Sequence, residues 1–291
     1  MKILLFGANG QVGREIVEAC RKDRDVRLIA LTRDKADLSR TGEGARSIGI
    51  EKPDIVINAA AWTQVDQAET QKQAAHRLNA QAPEELAAAS RSNGARFIHI
   101  STDYVFSGEH NGAPLDEEAP TAPINAYGAT KLEGERSTLR AYPDAVIIRT
   151  SWVYSLYGTN FARTMIRLSE TRSELGVVAD QFGGPTPARN IAAACLSVAK
   201  RKDGAGGVFH FQGAPATNWA DFAEAIFEAA GRDVKINRIT TREYPTPARR
   251  PLYTVLNCSK ILREYGVAQP DWRLDLSSTV REIATRDASQ K

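Results

Sequence analysis

A chain of 291 residues, 42% hydrophobic and 25% charged, has an ordinary globular make-up, with material for one large domain or two modest ones. A formal net charge of +3 without a run of five basic residues argues against a nucleic-acid partner, because phosphate-tracking surfaces cluster Lys and Arg. No apolar stretch approaches the about 18 residues of a membrane helix, so no membrane association and a cytoplasmic, soluble chain are expected.

The apolar opening Met1 to Phe6 breaks at Gly7 and runs into a glycine motif, so it reads as a first strand and not as a signal peptide. Further strand-length apolar runs follow at Val26 to Leu31, Ile55 to Ala60, Phe97 to Ser101, Ala145 to Thr150 and Val208 to Phe211. Each run is nearly continuous and not alternating, as in strands covered on both faces. Helical patterns lie between them at Gln11 to Arg21 and Pro83 to Ser92, and later at Asn160 to Thr171, Ala188 to Lys200, Trp219 to Ala230 and Ser277 to Thr285. This alternation predicts an α/β fold with a doubly wound parallel sheet of Rossmann type. Ser107 to Asn125, rich in Pro and Gly, is expected to run over the carboxyl edge of the sheet, where ligands bind in such folds. The division expected is a dinucleotide-binding domain over 1–151, with a returning segment near 188–212, and a smaller, mainly substrate-binding lobe over 152–291.

The three cysteines (Cys20, Cys195, Cys258) and four histidines (His76, His99, His110, His210) are scattered and show no zinc spacing, so all seven read as structural. Gly7-Ala8-Asn9-Gly10-Gln11-Val12-Gly13 follows the first strand at once and opens a helix, the context of a dinucleotide fingerprint. Gly7 suits the sharp turn, Gly10 a close approach of backbone to pyrophosphate, and Gly13 tight packing of helix on strand. The second strand ends in Leu31-Thr32-Arg33 with no carboxylate for a ribose 2′-hydroxyl, so NADPH is favoured, with NADH admissible. Asp37 and Leu38 stand where they would frame the adenine.

Ser101-Thr102-Asp103 ends the fourth strand, and Tyr127 and Lys131 stand four residues apart on the helix downstream, on one face. A lysine ammonium beside a tyrosine stabilises the phenolate and lowers its pKa, which suits proton delivery to a carbonyl oxygen. Lys131 is also placed to hold the nicotinamide ribose, and Thr102 to hydrogen-bond the substrate oxygen. Tyr127 is the only tyrosine with a lysine four residues on, and the order of glycine loop, strand ending in Ser/Thr and Tyr-x-x-x-Lys gives the pair its weight.

These motifs, with Asn58-Ala59-Ala60-Ala61, resemble the extended short-chain dehydrogenase/reductase family. Ser101 to Gly108, Arg149 to Tyr154, Asp180 to Thr186 and Tyr244 to Pro251 are similar, within it, to the dTDP-4-dehydrorhamnose reductases. The resemblance implies reduction by NAD(P)H of the 4-keto group of a dTDP-4-keto-6-deoxysugar, with Thr102, Tyr127 and Lys131 catalytic. It further implies cofactor contacts at Gly10, Gln11, Val12, Ala59, Ala60 and Ala61, and sugar contacts at Thr102, Asp103 and Trp152. Arg249, with Arg250, is a candidate clamp for the diphosphate. Asn160 and Phe161 either close over the nucleotide or serve as helix start and core. Some members bind a metal through acidic residues at a dimer contact. The aligned position here is Arg189 and the tail has no paired acids, so no metal and a monomer or weak homodimer are expected. Alternatives are a reductase of another nucleotide ketosugar, an epimerase or dehydratase of the same superfamily, and a non-catalytic dinucleotide-binding subunit.

Overall fold

The structure is a computed structural model that describes residues 1–109, 112–201 and 203–288, with side chains to residue 283; His110 and the last three residues lie outside this range. The apolar runs form β1 (Lys2–Phe6), β2 (Arg27–Leu31), β3 (Ile55–Asn58), β4 (Arg96–Thr102), β5 (Val146–Thr150) and a sixth strand, Gly207–His210. They make one six-stranded sheet in which every pairing is parallel, ordered β2, β1, β3, β4, β5, Gly207–His210. Successive side chains serve opposite faces. Ile3, Leu5, Ile55 and Ile57 pack with helices Gln11–Arg21 and Ala188–Lys200. Leu4, Phe6 and Val56 pack with helices Glu43–Glu51 and Ala82–Ser92. The four central strands β1, β3, β4 and β5 are therefore covered on both faces, which is why their runs are continuous and not alternating.

The strand order reverses at β1. The connection after β1 leads outward to β2, and the one after β2 returns across β1 to β3. At such a switch point the loops beyond the carboxyl ends of β1 and β3 splay apart and leave a crevice. The glycine loop and Ala59–Ala61 are those two loops.

A second apolar cluster gathers Tyr154, Met165, Leu175, Phe222, Trp272 and Ile283 beside the carboxyl edge. Helices Phe161–Leu168, Trp219–Ala230 and Trp272–Ala288 pack there with a parallel pair of strands, Glu174–Val178 and Lys235–Ile239. That strand pair was not expected: Lys235-Ile236-Asn237-Arg238-Ile239 is mostly polar and half exposed, so neither apolar run nor strict alternation marks it. Strand β3 stops two residues earlier than expected because Ala60 turns back to donate its N–H to Asn58 Oδ1 at 3.1 Å. The last helix begins at Trp272, five residues early, where the indole N–H donates to Pro215 O at 2.7 Å. Among the described residues no helix is long and apolar enough to cross a membrane.

Candidate active site

The first loop is shaped by backbone contact. Gly7 turns with φ +81°, a left-handed conformation that costs a side-chain-bearing residue about 1–2 kcal/mol. A Cβ there would stand 2.6 Å from Ala60 N, and one on Gly13 would stand 2.1 Å from Gly7 O. Strand, loop and helix thus close on one another only because two side chains are missing. Gly10 differs: it is the N-cap of helix Gln11–Arg21, and a Cβ would meet only Gly7 O at 3.3 Å. No side chain caps this helix, and its first turn borders the cleft at Gly10, Gln11 and Val12, a setting that suits an anion. Gln11 Oε1 instead accepts hydrogen bonds from Asn160 Nδ2 at 3.0 Å and Ser155 Oγ at 3.2 Å, which ties the glycine loop to the second lobe.

At the end of β2, Thr32, Arg33, Ala36, Asp37 and Leu38 line the same cleft. The Arg33 side chain is 80% exposed and only 3.6 Å from Asp37 Oδ1, a loose pair that leaves the guanidinium available. Thr32 donates its hydroxyl hydrogen to Asp34.

At the candidate catalytic corner β4 ends in Thr102, which caps a 3₁₀ turn by accepting from Tyr104 N at 3.2 Å and donates to Asp103 Oδ1 at 3.1 Å. Asp103 is buried and its other oxygen accepts from Thr254 Oγ1 at 2.5 Å. Burial pushes its carboxyl up to about 6, against the pull of the two threonine hydroxyls. Asn125 caps helix Ala126–Ala141 by accepting from Gly128 N at 2.7 Å, which sets Tyr127 in the first turn and Lys131 one turn on. Tyr127 packs edge-on against Tyr104, with ring centroids 5.7 Å apart.

Burial pushes the Tyr127 hydroxyl up to about 12; its hydrogen bond with Thr102 pulls it down and the Asp103 charge pushes it further up. Lys131 is 1% exposed, donates to Ile100 O at 2.7 Å and lies 3.2 Å from His99 Nε2. Burial pushes its ammonium down to about 8, opposed by Glu135. The expectation that Lys131 lowers the Tyr127 pKa is corrected here: desolvation outweighs every attraction on the phenol, and the Nζ contacts go to Ile100 and His99. The Thr102 hydroxyl likewise borders the cleft, but its hydrogen is directed to Asp103.

The facing wall is aromatic. Trp152 holds φ +43°, a conformation rare outside glycine, and stacks on Trp219 with centroids 3.6 Å apart and planes 9° from parallel. Both line the cleft, and Trp219 Nε1 donates to Gln181 Oε1 at 3.1 Å. Trp219 opens its helix, and nothing in its local sequence announces that it stacks on Trp152. Phe161 packs on Trp219 and Phe222, and Asn160 caps its own helix, so these two serve as helix start and core. Arg250 pairs with Asp66 at 2.9 Å, and Ala248 N donates to the same carboxylate at 3.1 Å, which folds the 244–251 run over helix Val65–Ala68. Arg249 is exposed and not brought to the cleft; its carbonyl accepts from Asn125 Nδ2 at 2.8 Å. Arg189 donates to Thr279 Oγ1 at 2.9 Å and stands 3.7 Å from Glu282 and 3.9 Å from Asp275, so acids on the last helix face a guanidinium.

A single cleft of about 920 Å³ joins these parts. It is lined by Gly7, Gly10, Gln11 and Val12, by Ala59, Ala60 and Ala61, and by Thr102, Asp103, Tyr127, Lys131 and Trp152. Gly13, Arg249, Arg250, Asn160 and Phe161 are the candidate residues outside the lining; Gly13 acts one layer back, through packing. Thr63, Gln64 and Trp219 line it unannounced by any motif, and Tyr104 and Ser151 line it from within the 101–108 and 149–154 segments without having been singled out.

The family model described as RmlD substrate binding domain matches residues 1–285. The dTDP-4-dehydrorhamnose reductase of Burkholderia thailandensis is 44% identical over 98% of this chain and 100% of its own length. Among solved structures, the dTDP-4-dehydrorhamnose reductase of Clostridium acetobutylicum superposes with a TM-score of 0.92 at 40% identity, covering 98% of this chain and 100% of that one. That of Bacillus anthracis, solved in complex with NADP, gives 0.89 at 34% identity over 97% and 99%. The chain therefore belongs to the dTDP-4-dehydrorhamnose reductase family.

Proposed function

We propose that this chain reduces the 4-keto group of dTDP-4-dehydro-L-rhamnose with NADPH, yielding dTDP-L-rhamnose. One observation carries the reading: the uncapped helix end beyond Gly10 and the Thr102, Tyr127 and Lys131 corner open into the same cleft. A dinucleotide fits this chain at the crevice between β1 and β3, where two missing Cβ atoms bring loop and helix together and leave backbone donors for phosphate. When bound, the nicotinamide supplies the hydride.

The protein's part is placement and proton supply. Tyr127 keeps its proton across the neutral range and gives it to the oxygen that gains charge at C4. Thr102 stands beside the phenol, held in place by its hydrogen bond to Asp103 Oδ1, and Asp103 faces the sugar. Lys131, in its protonated form, sets the ribose. Trp152, backed by Trp219, forms the flat wall for the sugar nucleotide. Arg33 and Thr32, with no carboxylate ending β2, favour the 2′-phosphate of NADPH. Asp37 and Leu38 frame the adenine. In this reading residues 1–151, with the segment near 188–212, hold the cofactor, and 152–291 mainly hold the sugar nucleotide. The mature enzyme is a monomer or weak homodimer.

The test is oxidation of NADPH and of NADH with enzymatically prepared dTDP-4-dehydrorhamnose, followed by NMR of the product. The rhamnose product with NADPH preferred is expected; a talose or fucose product sinks the substrate assignment.

A further inference from the structure

Lys131 is held by more than its own helix. Asn58 ends β3, His99 is its register partner on β4, and both are fully buried. The Ala60 N–H lies 3.1 Å from one terminal atom of the Asn58 amide. A backbone N–H only donates, so that atom is the oxygen, and the amide nitrogen faces His99 Nδ1 at 3.1 Å. An amide NH₂ also only donates, so Nδ1 must be bare. Burial and the nearby Lys131 hold the imidazole well below its usual pKa, and the neutral ring therefore carries its one proton on Nε2. That Nε2–H points at Lys131 Nζ, 3.2 Å away. An uncharged amine offers it a lone pair; an ammonium sets donor against donor.

We propose that Asn58 and His99 are positioning residues for Lys131: a one-way chain of hydrogen bonds from Asn58 through His99 fixes the lysine nitrogen and favours its uncharged form in the free enzyme. The other charged groups do not reverse this. Glu135, on the same helix, is bound by the Arg149 guanidinium of β5 at 2.7 and 3.0 Å and accepts from Ser101 Oγ at 2.5 Å. His210 stands 3.4 Å from Arg149 and so is directed away from Lys131. Tyr127 lies one turn back, with Asp103 beyond it. Among the described residues Nζ meets two polar groups, Ile100 O, which accepts from either protonation state, and His99 Nε2, which distinguishes them.

The inference rests on the role given above to Lys131, and its test is separable from that role. In ¹⁵N-histidine-labelled protein, two-bond proton–nitrogen correlation should show His99 as the Nε2–H tautomer, with its signals assigned by their loss in His99→Gln. Asn58→Asp replaces the donor by an acceptor, so the ring should switch to Nδ1–H and present a bare Nε2 to an ammonium. Burial pushes the Lys131 ammonium down to about 8, so the parent is expected to lose kcat/KM above that pH, and in Asn58→Asp this alkaline limb should move up by about one pH unit. His99→Gln, whose amide oxygen can turn to Lys131, should move it in the same direction. An Nδ1–H tautomer in the parent overturns the proposal, as does an unmoved alkaline limb in both folded variants. If Asn58→Asp does not fold, the parent spectrum and His99→Gln decide. Absence of turnover on dTDP-4-dehydrorhamnose beside an Nε2–H ring removes the substrate reading and leaves the hydrogen-bond chain supported.

Discussion

At the glycine loop the cleft is walled by backbone: Gly7 and Gly13 matter for the atoms they lack, and no side chain caps the helix between them. At the catalytic corner the reverse holds. Thr102, Asp103, Tyr127 and Lys131 matter for polar atoms carried into an apolar setting, and each has its chemistry altered by what surrounds it. A loop that binds through N–H groups and dipoles requires only geometry, which a short motif can specify. A corner proposed to move protons depends on shifted pKa values, and desolvation supplies them only after the whole fold has closed over the residues.

Substitutions can break this contrast in order of expected size. Tyr127→Phe should lower kcat by roughly 10²–10⁴-fold while leaving NADPH binding within about twofold, read by steady-state kinetics and fluorescence titration. Unchanged turnover would end the proposed chemistry. Gly13→Ala should cost about 3 kcal/mol of stability, because the new Cβ meets Gly7 O at 2.1 Å, and denaturant unfolding would show it. Gly10→Ala serves as its contrast: stability should stay within about 1 kcal/mol, since only a 3.3 Å contact arises, while NADPH affinity falls. If both alanines weaken stability equally, Gly10 is a packing glycine and not a ligand-facing one.

Trp219→Ala removes the partner that backs Trp152, so KM for the sugar nucleotide should rise by about tenfold with kcat little changed. A fall in kcat alone would instead place the pair beside the reacting carbon. The smallest effect is expected at the exposed end of the loop region. Arg33→Ala should reduce the preference for NADPH over NADH by about tenfold, mainly through KM for NADPH. No change would shift the 2′-phosphate contact to another residue of the loop after β2.

Much of this was legible from the residues alone. The four central strands announce themselves because a strand buried on both faces must be apolar throughout, and the edge strands Arg27–Leu31 and Gly207–His210 carry apolar runs while staying partly exposed. Helices Gln11–Arg21, Ala188–Lys200 and Trp219–Ala230 match their patterns to the residue, each with a clear apolar stripe. The pair Glu174–Val178 and Lys235–Ile239 stayed hidden because its stability comes from pairing across a long sequence gap and not from hydrophobic run. The same holds for Trp219, whose place in the site depends on Trp152 stacking on it from 67 residues away. His99 was read as structural, and only the pairing of β3 with β4 sets it between Asn58 and Lys131.

The sequence by itself determined the doubly wound fold, the dinucleotide loop and the identity of the Thr102, Tyr127 and Lys131 constellation. These follow from local requirements, namely a turn that only glycine makes, a helix that puts residues four apart on one face, and strands that must be dry. The tertiary structure alone decided the electrostatic state of that constellation. Lys131 meets His99, Tyr127 meets Thr102 and Asp103 loses water because separate strands and loops converge at the carboxyl edge, and a pKa responds to that convergence and not to the spacing of residues along the chain.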